Sequence, residues 1–127
     1  MSYQTQFEGP IWRVTFFGAL TRDDILKALE DLIAAERGIK TMPPRITDMS
    51  RVTDIQVRSE HMMTSARARR VIKFANSFKS AIIAPESNQL GFARMFQILN
   101  DNPQIKIEIF SDETSALAWI QDGKADE

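Results

Sequence analysis

Cysteine is absent from the 127-residue chain, and histidine occurs once. The first absence removes disulfides, thiolate chemistry and cysteine-ligated zinc together, and it suits a reducing compartment. The second leaves His61 with no other imidazole or thiol beside which to bind a metal, so neither a metal site nor a cofactor is expected. Ser59 and His61 resemble two members of a hydrolytic triad in composition only, because residues two apart on a helix point to different faces and no Gly-x-Ser-x-Gly elbow is present. Glycine is sparse and scattered, at 9, 18, 38, 91 and 123, which excludes a glycine-rich phosphate loop. No apolar run approaches the roughly 18 residues needed to cross a bilayer, and the opening Met-Ser-Tyr-Gln-Thr-Gln has neither a basic nor an apolar leader region. A net charge of −1 exerts no general pull on nucleic acid. These absences set the expectation of a cytoplasmic protein with no catalytic residues, no nucleic-acid partner and no membrane span.

What is present is apolar residue at 43%, enough for one core of its own, burying roughly 65–70% of the unfolded surface. Tyr3–Phe7 and Ile11–Phe17 read as two strands around the turn Glu8-Gly9-Pro10, with Trp12, Val14 and Phe16 on one uniformly apolar face and Gly18 as the stop. Thr21 is placed to cap a helix whose stripe is Ile25, Leu29, Leu32 and Ile33, closing at Gly38 as a C′ glycine. Pro43 and Pro44 deliver the chain extended into a strand, Arg45–Met49, which a polar turn joins to a second helix from about Ser59. Lys79–Ala84 contains an Ala-Ile-Ile-Ala run suited to a strand buried on both faces. Ser87 or Asn88 begins a third helix, Ile105–Phe110 alternates as the last strand, and Ser111 caps a fourth helix ending near Ile120. The expected fold is a single α/β domain over residues 1–121, with a mixed, mostly parallel five-stranded sheet and four helices in the order ββαβαβαβα, and a flexible tail at 122–127.

Three cues in this order resemble the STAS family, the anti-sigma-factor antagonist fold. They are Gly18-Ala-Leu20-Thr21, the run Ile46-Thr-Asp48-Met-Ser50-Arg-Val52-Thr-Asp-Ile55, and the closing strand–helix step from Phe110 to Ile120. The resemblance spans nearly the whole chain and implies a non-enzymatic regulatory domain that works by binding protein. In the family a serine in an Asp-Ser-Ser-Gly context is phosphorylated by a partner kinase. Here the corresponding residues are Gln56-Val57-Arg58-Ser59, which implies a divergent, uncharacterised bacterial branch in which Ser59 is not an obligatory phosphoswitch.

The residues themselves still nominate sites. A helix beginning at Ser59, with Arg58 beside it, is a candidate phosphoacceptor or anion site, although an ordinary N-cap accounts for the same serine. Loops at strand C-termini place Asp48, Ser50, Ser87 and Asn88 around a candidate ligand crevice, with Met62 and Phe92 one turn in. The third helix is apolar around more than one stripe, so Phe92, Met95 and Phe96 with Met62 and Met63 form a candidate homodimer surface or, alternatively, ordinary core. An apolar or amphipathic small molecule of lipid type is the alternative partner, because the STAS-like fold also resembles the SEC14 core. An enzyme is the third reading. Six basic residues between Arg58 and Lys79 face one acid, Glu60, and with no interleaved aromatics they read as a solvated helix face.

Overall fold

The tight turn at Gly9 and Pro10 requires a positive φ that Gly9 supplies at +63°, and it folds β1 (Tyr3–Glu8) back on β2 (Ile11–Thr21). The computed structural model describes residues 3–56, 73–99 and 102–122. After the hairpin come α1 (Arg22–Arg37), β3 (Arg45–Gln56), β4 (Phe78–Ile83), α2 (Ser87–Leu99), β5 (Ile105–Phe110) and α3 (Glu113–Gln121). The strands form one sheet in the order β1-β2-β3-β4-β5, antiparallel at the hairpin and parallel elsewhere. This is the expected single α/β domain with its mixed sheet, and three of the four expected helices are described. The second expected helix, from Ser59, lies outside the described residues.

Two strand ends differ from expectation. Gly18 does not stop β2. At φ +76° it takes up a register break between Gly18 and Ala19, and the strand runs on to Thr21. β3 likewise continues seven residues beyond the expected Met49, because the lengthened β2 offers it an edge as far as Thr21 opposite Gln56. Asp48 and Ser50 therefore lie within a strand and not in a loop. β4 pairs only with Arg45 to Asp48, so the far ends of β2 and β3 form a two-stranded ribbon, held down by Leu20 and Val52 in the core.

The capping chemistry also sorts itself. Thr21 caps α1 as expected, its Oγ1 accepting from the Asp24 N–H while the Asp24 carboxylate accepts from the Thr21 N–H at 2.9 Å. Gly38 takes ordinary right-handed backbone, φ −90°, in place of the expected left-handed turn. α3 is capped by Asp112, not Ser111. Its carboxylate accepts from the Ser115 N–H at 2.7 Å, which holds it below the usual carboxylate range.

The apolar residues divide between two faces. Trp12, Val14 and Phe16 are buried as expected, and with Met49 and Ile82 they lie under α1 and α2 through Ala28 and Ala93. Ile11, Ile46, Ala81 and Ile83 pack the other face under Ala116 of α3. All six residues of β4 are buried, as a strand covered on both sides must be.

Tyr3 pins α1 to this sheet by donating its hydroxyl to the Asp31 carboxylate. Burial, that bond and the neighbouring charges of Asp31, Asp24 and Glu30 push the phenol up to about 12. A raised value means the folded state favours the protonated phenol, so this stabilisation is whole below pH 10 and is lost as pH climbs towards 12. Tyr3 is the only tyrosine, so a tyrosinate absorbance titration reads it alone. The expected midpoint is near 12 while circular dichroism still reports folded protein; a midpoint near 10 in folded protein contradicts the contact.

Candidate functional site

Parallel strands present their C-terminal ends together, and in this sheet β4 and β5 stop at the row Thr15, Asp48, Ile83 and Phe110. Arg13 sits beside that row, and its side chain is only 11% exposed. Its Nε donates to Glu8 at 2.6 Å, Nη1 to Asp48 at 3.3 Å, and Nη2 to Glu113 at the start of α3. One guanidinium thus joins the hairpin, the centre of the sheet and the last helix. Burial alone lowers its pKa, but Glu8 and Glu113 outweigh burial and raise it, while the bond from Arg13 holds the Glu8 carboxyl below its ordinary 4.5.

Asp48 is engaged from its other oxygen as well, accepting from the Ser50 N–H at 2.9 Å and the Ser50 hydroxyl at 2.6 Å. Two of the residues expected to rim a crevice are thus bonded to each other, and Asp48 is bonded to Arg13 as well. At the start of α2, Ser87 and Asn88 are exposed positions inside the helix. The contact back across the helix start is made by Gln89, whose Oε1 accepts from the Glu86 N–H at 3.0 Å while its Nε2 donates to the Val52 carbonyl at 2.8 Å. Gln89 is 1% exposed, and it ties the helix to the two-stranded ribbon. Phe92, half-buried, packs against the core under α1 and α2. Met95 and Phe96 fall on α2 as expected. Arg58, Ser59, Met62 and Met63 lie outside the described residues.

At the opposite end of β4 and β5 an open groove of about 450 Å³ is lined by Ser77, Phe78, Asn102, Pro103, Gln104 and Lys106. Two amides stitch the chain together there as backbone mimics. Asn76 accepts from Met42 N–H at 2.6 Å and donates to its carbonyl at 3.1 Å; Gln104 does the same to Phe74 at 2.7 and 2.8 Å. Among the described residues no three histidine, cysteine, aspartate or glutamate side chains gather to hold a metal, and no helix is long and apolar enough to cross a membrane.

Sequence reading missed Arg13, Glu113 and Gln89. For Arg13 a signal existed, since it occupies an inward position between Ile11 and Thr15, where a buried charge must find partners.

No protein-family model matches the chain, and no curated protein matches it. Among solved structures it is similar to an uncharacterised protein of the DUF3478 family, described as having a SpoIIAA-like fold, from Shewanella loihica PV-4. The TM-score is 0.61 at 18% identity, over 93% of this chain and 91% of that one. This chain has a SpoIIAA-like fold. That is the anti-sigma-factor antagonist architecture that its three sequence cues resemble.

Replacing Arg13 by Gln should cost about 1–3 kcal/mol, the range for losing charged hydrogen bonds around a partly buried carboxylate. A depressed carboxyl contributes stability above its ordinary value and loses it as pH falls below. Wild type should therefore lose stability more steeply than Arg13→Gln below pH 4.5, the ordinary value for Glu8. Parallel curves in urea melts across that range would contradict the network.

Proposed function

We propose that this SpoIIAA-like domain acts by binding another protein in the cytoplasm, with no catalytic step of its own. One observation carries the reading: the polar side chains at the C-terminal edge of the sheet are committed to partners within the chain, Ser50 to Asp48, Asp48 to Arg13 and Gln89 to Val52, while Ser87 and Asn88 stand exposed. Groups held this way shape a surface and are poorly placed to move protons or attack a substrate. The fold supports the same view, since the family its sequence resembles regulates by protein contact. Ser59, lacking the acidic double-serine context, is not an obligatory phosphoswitch in this reading.

A carrier of an amphipathic small molecule is the second reading, favoured by Phe92, which is half-buried at the margin of the core. Within the described residues its anionic head would sit near Asn88 and its tail against Phe92; the alternative head position at Ser59 and the tail contact at Met62 lie outside them. Photo-crosslinking in the native host separates the two. A benzoylphenylalanine at Asn88 should yield one dominant protein adduct, absent when the probe stands at exposed Lys40 near the far end of the sheet. No adduct at Asn88, with a lipid retained in native mass spectra of freshly purified protein, would favour the carrier.

A further inference from the structure

The two edges of the sheet are treated differently. At β5 the Gln97 side chain from α2 donates to the outward carbonyl of Ile107 at 2.8 Å, and charged Lys106 and Glu108 alternate along the strand. An edge covered and charged in this way resists pairing with another strand. Among the described residues no side chain covers β1 in this way, and its one charge, Glu8, stands at the turn. Tyr3 to Phe7 carries no charge and no proline, Gln4 to Glu8 are all exposed, and among the described residues no strand lies beyond it.

The backbone of β1 is also presented for pairing. Trp12 gives its N–H to Pro44 on the β3 side at 3.0 Å, so Phe7 opposite Trp12 is not in a hydrogen-bonded pair of the hairpin. By the alternation of an antiparallel ladder, the N–H and C=O groups of Tyr3, Thr5 and Phe7 face outward. Phe7 is 61% exposed, stacked on Trp12 at 5.6 Å between ring centres.

The sequence of that edge is symmetric about Thr5: an aromatic, glutamine, threonine, glutamine, an aromatic. We propose that two copies of this chain join β1 to β1, antiparallel about a two-fold axis through Thr5, fusing two five-stranded sheets into one. In that register Tyr3 lies opposite the second copy's Phe7, Gln4 opposite Gln6, and Thr5 opposite Thr5. Aromatic and threonine pairs are among those that stabilise cross-strand neighbours, and Phe7 gains cover. Charge selects the same arrangement. Parallel pairing would set the two Glu8 carboxylates side by side, whereas the antiparallel register holds them about 20 Å apart, beyond the Debye length of roughly 8–10 Å at ordinary salt. A net charge of −1 adds little repulsion between copies. This interface is separate from the surface around Asn88 and does not depend on the function proposed for it.

The test uses the absence of native cysteine. In the proposed dimer the Thr5 Cα atoms stand about 5.5 Å apart, within the span of a disulfide. Thr5→Cys should oxidise almost completely to a disulfide-linked dimer at low micromolar concentration, and Lys106→Cys on the β5 edge should not. Wild type should sediment at twice the chain mass, and Thr5→Pro, which removes an outward N–H, should sediment at the chain mass with an unchanged circular dichroism spectrum. The proposal is overturned by a wild-type protein that is monomeric at high micromolar concentration, by a Thr5→Cys variant that crosslinks no faster than Lys106→Cys, or by a folded Thr5→Pro variant that is still dimeric.

Discussion

Arg45 and Glu36 form an ion pair in which both side chains are about 95% removed from water, at 6% and 5% exposure, and the geometry of the fold converges on it. Taking two such charges out of water costs several kcal/mol each, a cost that only good geometry offsets. Here a 2.6 Å bond from Nη2 to Oε2 is reinforced by the guanidinium lying over Trp12 at 4.7 Å and Phe78 at 5.3 Å. Arg45 opens β3, Glu36 sits in the last turn of α1, and the two rings belong to β2 and β4. The pair therefore fixes where the helix ends and where the central strand begins. A one-residue slip of β3 would turn Arg45 to the opposite face and strand Glu36.

Other charged and amide groups extend the same logic outward. Arg13 joins hairpin, sheet and last helix at the C-terminal edge, Asn76 and Gln104 stitch the loops at the opposite edge, and Lys79 donates to the Trp119 carbonyl near the end of α3. In a chain without disulfides these contacts supply the directional constraints that an apolar core alone does not. They also bear on function, because a side chain held in three bonds contributes shape and charge to a surface and is unavailable for chemistry.

The core was legible where a local signal has one meaning. The Ala-Ile-Ile-Ala run specified a strand covered on both faces, and Gly9-Pro10 specified a turn. Gly18 has two readings, stop or bulge, and only the partner strand decides between them. The second half of β3 is written in Ser50, Arg51, Thr53 and Asp54, a polar run that is extended because the prolonged β2 lies beside it, a non-local cause. At α2 Ser87 and Asn88 are the conventional cap residues, yet the contact to the Glu86 N–H comes from Gln89, inside the helix. Asp48 reads in the sequence as a polar loop residue, and its partner Arg13 lies 35 residues away with no spacing rule to connect them. The Arg45–Glu36 pair is hidden for the same reason, since each residue alone reads as an ordinary surface charge.

A double-mutant cycle on this buried pair tests the central claim most directly. If Arg45 and Glu36 hold the junction of α1 and β3 together, Arg45→Met and Glu36→Gln should each lose about 3–5 kcal/mol in urea unfolding, and the double variant should lose far less than the sum, because neither charge is then left buried alone. Losses that add to within about 0.5 kcal/mol would show that the two residues act independently, and would contradict the account.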